Sequence, residues 1–182
     1  MASMENFTFL VTLDDDKSNV IREIGIESNK TLEDLHHLIV QSFGLTPGEL
    51  ASFYRTNEKW EQLDEIPLVP LGEGENAPLP MSEISVGAYF TNNQRLLYVY
   101  DFLNLWTFYV EKKSQGPALP VGLIHSIGVL PAEAPARFFE SETDPHRKNS
   151  FDDDYLFSDA DDEFFDEEDF GEGFHEIDPD EY

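Results

Sequence analysis

Two polar side chains stand where chemistry could be done. Asp101 lies inside "LLYVYDFLNLWTFYVE", residues 96–111, a run rich in aromatic and aliphatic residues. His36 lies in "TLEDLHHLIVQSF", residues 31–43. A carboxylate and an imidazole are the parts of an acid/base pair or of a metal site. Each also has a plain structural reading. An Asp at a hairpin turn accepts backbone N–H bonds. A His on the apolar face of a helix is a partly buried group bonded to nearby backbone. One carboxylate and one imidazole do not fix a metal, so the structural readings are the ones expected here. His37, His125, His146 and His175 add no HExxH or HxH spacing. "GEGEN" at 72–76 lacks the Lys and following helix of a phosphate loop, and its glutamates repel phosphate. No GxSxG occurs. No catalytic residue, cofactor site or metal site is assigned, and the chain reads as a non-enzyme.

The aromatic run raises a second kind of chemistry. Tyr98, Tyr100, Phe102, Trp106 and Phe108 form a candidate stacking platform for nucleic-acid bases. Such a platform needs cations beside it. Arg95, Lys112 and Lys113 are the candidate nucleic-acid contacts, at the far ends of two strands that antiparallel pairing would bring together. Against this, one face of the hairpin must pack on the core, and the Trp106 side is expected to do so.

The elements that position these groups follow from periodicity. "FTFLVTL", residues 7–13, alternates at period two and reads as a strand. "VIREIGI" reads as its hairpin partner, with Ile24 and Ile26 on one face. Residues 31–43 have the spacing of a helix: Leu32, Leu35, Ile39 and Phe43 form its stripe, Thr31 its N-cap and Gly44 its stop. "ELASFYRT" and "WEQLDEIPL" read as strands, residues 70–80 as a loop, and "MSEISVGAYF" as a short helix capped by Ser82. The aromatic run is a hairpin turning near Asn104, which tolerates the positive φ such turns need. "LIHSIGV", 123–129, is one more short strand. The expected class is α+β: a mostly antiparallel or mixed sheet with one main helix packed on it, with a β-grasp-like arrangement among the options.

The chain has 182 residues and a formal net charge of −27. Its charge is unevenly spread. Residues 151–182 hold 16 acids and no Lys or Arg, while residues 1–150 hold 22 acids and 11 bases. The expected organisation is one α+β domain over 1–150 and a disordered acidic tail over 151–182. Long-range repulsion of phosphate disfavours direct nucleic-acid binding. Among the tail acids stand eight aromatics, of which Phe157, Phe164, Phe165, Phe170 and Phe174 are the candidate partner-binding residues. Acidic segments with interspersed aromatics suit docking into an apolar groove ringed by Lys and Arg. The partner would be a basic protein surface or the chain's own domain. There is no cysteine, no signal-peptide pattern and no apolar run of membrane-spanning length, so the chain reads as cytoplasmic, with no membrane contact.

"NVIREIGIESNKTLEDLHHLIVQSFGL" and "LLYVYDFLNLWTFYVE" together resemble the two main blocks of the plasmid pRiA ORF-three-like family, also labelled insertion-element passenger TnpR-like. The blocks span residues 5 to 111. The chain resembles a Bacteroidetes-type variant of that family. The Gly-Asp that follows "DF" in the family pattern is Leu103-Asn104 here, and its His after the Trp is Phe108. A later segment survives at most as "LPAEAP", 130–135. The resemblance implies an α+β fold and a bacterial, sometimes mobile-element, setting, with no established activity. The expected function is protein interaction through the tail. The alternatives are a nucleic-acid-associated accessory of a mobile element, and a degenerate metal or hydrolase site at His36 and Asp101.

Overall fold

Strand β1 (Asn6–Leu13) buries Phe7, Phe9, Val11 and Leu13, every second residue, as its period predicts. It turns into β2 (Ile21–Glu27) as an antiparallel hairpin, with Phe9 opposite Ile24 and Val11 opposite Arg22. Helix α1 (Leu32–Phe43) follows. Its start is a capping box: Thr31 Oγ1 accepts the Asp34 N–H at 3.2 Å, and the Asp34 carboxylate accepts the Thr31 N–H at 2.9 Å. Its end is Gly44 at φ 69°, a left-handed conformation natural to glycine. This computed structural model describes residues 5–72 and 74–136.

The rest of the chain is mainly strand. β3 (Ala51–Thr56) and β4 (Gln62–Pro67) pair antiparallel. A one-turn 3-10 helix (Met81–Glu83) leads to the short helix α2 (Val86–Phe90). The cap of α2 is Ser85, whose Oγ accepts the Ala88 N–H at 3.1 Å; the expected cap Ser82 lies inside the 3-10 turn. β5 (Arg95–Tyr100) and β6 (Trp106–Gly116) form the aromatic hairpin, and β7 (Gly122–Ile127) ends the described strands.

All seven strands join one sheet in the order β4-β3-β5-β6-β1-β2-β7, and every pairing is antiparallel. This corrects the expected class. The fold is sheet-dominated, not an α+β unit defined by a helix packed on a mixed sheet, and no parallel pair of the β-grasp kind occurs among the described residues. The reason is the reach of the strands. β6 runs eleven residues, continuing through the polar "EKKSQG" that carries no apolar alternation. One helix of twelve residues neighbours chiefly β2, β7 and the 3-10 turn.

One face of the sheet shares a core with the apolar side chains of α1 and α2. Phe7, Phe9, Phe53, Tyr98, Phe108, Leu35, Ile39 and Phe90 are its largest buried members. Central β5 is buried on both faces, since Leu97 and Val99 are enclosed along with Leu96, Tyr98 and Tyr100. Buried hydroxyls on the second face find partners: Thr8 with Ser114, and Ser52 with Glu65 at 2.6 Å. The edges of the sheet are β4 and β7, and β7 carries no Lys, Arg, Asp, Glu or Pro.

The chain divides into two units, residues 1–138 and 139–182, and the described residues all belong to the first. The expected 150/151 boundary and the tail lie outside the described residues. Among the described residues, no helix is long and apolar enough to cross a membrane.

At Gly25 in β2 a Cβ would collide with the carbonyl oxygen of Pro120, which crosses the strand there. Gly25→Ala is expected to lower unfolding stability by about 2 kcal/mol or more, read from urea denaturation midpoints.

Candidate functional site

His36 and Asp101 are not joined. His36 is 4 % exposed and its Nδ1 lies 2.7 Å from the Tyr98 hydroxyl. Its partner is therefore a side chain of β5, not the nearby backbone that helix reasoning expects. Burial holds the imidazole down to about 4, and neighbouring His37 adds to the shift. The imidazole is neutral near pH 7. Burial also pushes the Tyr98 hydroxyl well above its ordinary range. The pair is a neutral hydrogen bond within the core, enclosed by the rings of Phe53 and Phe108 on Tyr98.

Asp101 stands at the end of β5 with φ 56°, and Leu105 shares that left-handed conformation. The expected positive φ at Asn104 is thus displaced to the residues on either side of it. The Asp101 carboxylate does not reach outward. Oδ1 accepts the N–H groups of Leu103 at 3.1 Å and Asn104 at 3.4 Å, and Oδ2 accepts the Asn104 amide at 2.6 Å. These bonds, the Asn104 amide foremost, hold the carboxyl below its usual range. Asp and Asn are two of the few non-glycine residues that tolerate positive φ, because their side chains bond locally. Leu105 has no such compensation. Among the described residues, no three His, Cys, Asp or Glu side chains gather in a way that could hold a metal ion.

The three cations of the aromatic hairpin are all engaged. Arg95 stands opposite Glu111 in the register, with Nε 3.3 Å from its carboxylate and Nη1 donating to the Glu58 carbonyl at 2.7 Å. Its guanidinium lies 5.0 Å from the centre of the Trp60 ring. Lys112 Nζ donates to the Phe90 carbonyl at 2.6 Å and sits over Phe7. Lys113 pairs with Glu23 at 2.8 Å. Of the aromatics, Tyr98, Tyr100, Trp106 and Phe108 are buried, and Phe102 is the exposed one. The tail residues Phe157, Phe164, Phe165, Phe170 and Phe174 lie outside the described residues.

Sequence reasoning passed over Arg22. It is 7 % exposed, and it donates through Nε to the Ser42 carbonyl at 3.0 Å and through Nη1 to the Ile127 carbonyl at 2.8 Å. The signal was its parity: Arg22 is in phase with Ile24 and Ile26, which face the core.

A model of the plasmid pRiA4b ORF-3-like protein family matches residues 5–121. The chain belongs to this family. The matched span takes in β1 through β6 and stops just before β7. None of the curated proteins matches the chain. Among solved structures, the chain is similar to a protein of unknown function from Methanosarcina mazei Go1, at 22 % identity and a TM-score of 0.56. That match covers 68 % of this chain and 69 % of the other, and it shows a shared fold. Within this pRiA4b ORF-3-like chain, the positions that depart from the expected pattern have clear places. Phe108 is fully buried against Phe43 and Tyr98, Leu103 is almost fully exposed, and Asn104 serves Asp101.

The pH behaviour follows from His36. Its pKa in the folded chain lies below the unfolded value of about 6.5. Its contribution to stability is full above about pH 6.5 and is lost as pH falls toward the folded value, because the unfolded chain binds the proton first. Urea midpoints are expected to drop between pH 7 and pH 5, above the carboxylate range, and His36→Leu is expected to flatten that drop. Asp101→Ala is expected to cost about 1 kcal/mol, measured the same way, by removing the acceptor of the Leu103 N–H and the Asn104 side-chain amide; the Asn104 N–H keeps the Asp101 carbonyl at 3.1 Å.

Proposed function

We propose that this pRiA4b ORF-3-like protein is a non-catalytic cytoplasmic interaction protein, and that residues 151–182 are its contact element. The observation that carries this reading is compositional. Sixteen acids without a single Lys or Arg, interleaved with eight aromatics, fit neither a core nor a merely solubilising segment. Acids of this density speed the encounter with a basic surface, and aromatic anchors then fill apolar pockets on it. A basic surface on another protein fits better than the chain's own first 150 residues, which hold twice as many acids as bases.

The folded part supports a binding role through what its polar groups are already doing. Asp101 is spent on its turn, His36 on Tyr98, and Arg95, Lys112 and Lys113 on internal acceptors. A nucleic-acid contact through those cations would have to break these bonds. A metal or hydrolytic role for His36 and Asp101 would have to join two groups bonded elsewhere.

The test uses the full-length chain. One variant replaces Phe157, Phe164, Phe165, Phe170 and Phe174 with Ser and keeps every charge. A second replaces the tail acids with Asn and Gln and keeps every ring. Capture of basic proteins from a lysate, followed by titration of the purified partner, should fall sharply for both. Undiminished capture by the serine variant would mean that the rings have no docking role.

A further inference from the structure

The register fixes one end of the sheet. Tyr100 stands between Ala51 and Trp106 there, Leu13 opposite Phe108, and Ile21 opposite Ile127. The segments beyond these strand ends are residues 14–20, 44–50, 68–72, 101–105 and 128–136. Eleven large apolar side chains are exposed among the described residues, and six of them lie at this end: Leu50, Val69, Phe102, Leu103, Ile127 and Val129. Apolar side chains exposed singly are ordinary, whereas a gathering of them marks a contact surface.

The turn of the aromatic hairpin is the part of this end that presents its residues most firmly. Leu103 is 94 % exposed, so the fold gains nothing from an apolar side chain there. The backbone that carries it is nevertheless pinned. The Asp101 carboxylate accepts the Leu103 N–H at 3.1 Å, and the Asp101 N–H donates to the Leu50 carbonyl at 2.9 Å, which ties the turn to the 44–50 segment. The Tyr100 hydroxyl donates to the Thr46 carbonyl in the same segment. Leu105 holds φ 56° without the local side-chain bonds that serve Asp101. Strain of this kind persists where the surroundings hold a turn in one geometry. Phe102, Leu103 and Leu50 are thus offered on ordered backbone, which lowers the ordering cost of binding.

Charge selects the occupant. The five segments hold six acids, Asp14, Asp15, Asp16, Glu49, Asp101 and Glu133, against Lys17 as the one base. The Asp14 N–H donates to the Thr107 carbonyl at 2.8 Å, which sets the run of three aspartates beside the hairpin. Burial, and then the charges of Glu49 and Asp101, raise the Tyr100 hydroxyl above its ordinary range, so both carboxylates act at the root of the turn. An anionic occupant is repelled, whether nucleic acid or acidic lipid. So is the chain's own tail with its 16 acids, and so is a second copy carrying −27. A protein segment with an apolar stripe flanked by Lys or Arg meets complementary groups throughout. We infer that the Phe102–Leu103 turn, with Leu50 beside it, docks a basic amphipathic segment of a partner protein. The inference rests on the interaction reading above for the kind of partner, and it adds a contact on the folded unit that the tail does not supply.

The experiment is a methyl and aromatic NMR titration of the full-length chain with a synthetic amphipathic helix of leucine and lysine. The Leu50 and Leu103 methyls and the Phe102 ring should shift, with a Kd of about 100 μM or tighter. Leu103→Ser should weaken binding read at the Leu50 methyls about tenfold, with an unchanged melting temperature because the side chain is solvated. The response should survive replacement of Phe157, Phe164, Phe165, Phe170 and Phe174 by Ser; its loss there would assign the binding to the tail and overturn the inference. Signals that stay still at roughly twenty times the stated Kd also overturn it. So does an equal response to polylysine, to the same helix with glutamate in place of lysine, or to phosphatidylcholine vesicles. The two readings fail separately. Tail-dependent capture with a silent turn sinks this inference alone, and a responsive turn with capture that ignores the tail sinks the tail reading alone.

Discussion

Arg22 is a buried cation with no carboxylate partner among the described residues. A charge so placed is tolerated only where oriented dipoles replace water. Here those dipoles are carbonyls. Ser42 supplies one from the last turn of α1, where carbonyls lack helical partners and carry the negative end of the helix dipole. Ile21, Ile127 and Gly128 supply the others, and Phe43 lies flat beneath at 4.9 Å. One side chain therefore links the helix terminus, the second strand and the end of the last strand. The position of α1 follows, and with it the burial of His36. The turn after β7 also follows, because Gly128 at φ 71° brings the chain close against Asn19. Leu130 and Ala134 then settle on the core.

Much of the fold was legible because its elements are locally consistent. The first hairpin and α1 with both its caps lie within a residue or so of where alternation and capping residues assign them, and the aromatic hairpin forms where expected, though not with the expected ends. The class was not legible, since it depends on how far strands extend and on which strands pair. β6 continues past its apolar residues because β1 supplies a backbone ladder as far as Gly116, and no side-chain pattern announces that. The turn at Asp101 was read one feature too late, because Asn is the more familiar host of positive φ while Asp serves as well when its carboxylate can bond two and three residues ahead.

The polar groups divide in the same way. His36 was placed on the correct helix face by spacing, but its partner sits 62 residues away, on β5, and only the fold brings them together. Arg95 was singled out as a free cation, and the register sets it against Glu111. The likeness to the Methanosarcina mazei protein shows a shared fold, and neither it nor membership in the pRiA4b ORF-3-like family assigns chemistry to the residues.

Strand β7 has a further consequence for the protein as a colloid. Among the described residues no strand pairs with its outer edge, and its six residues, which include exposed Leu123 and Ile127, carry none of the charged Lys, Arg, Asp or Glu side chains or prolines that usually deter a second sheet from adding on. What keeps molecules apart is then not local but global: a net charge of −27 repels every approaching copy. That protection depends on the medium. Concentrated salt screens it, and acid near the isoelectric point of about 4.1 removes it. Storage and crystallisation conditions for this protein are best kept dilute in salt and well above that pH, where mutual repulsion does the work that the residues of β7 do not.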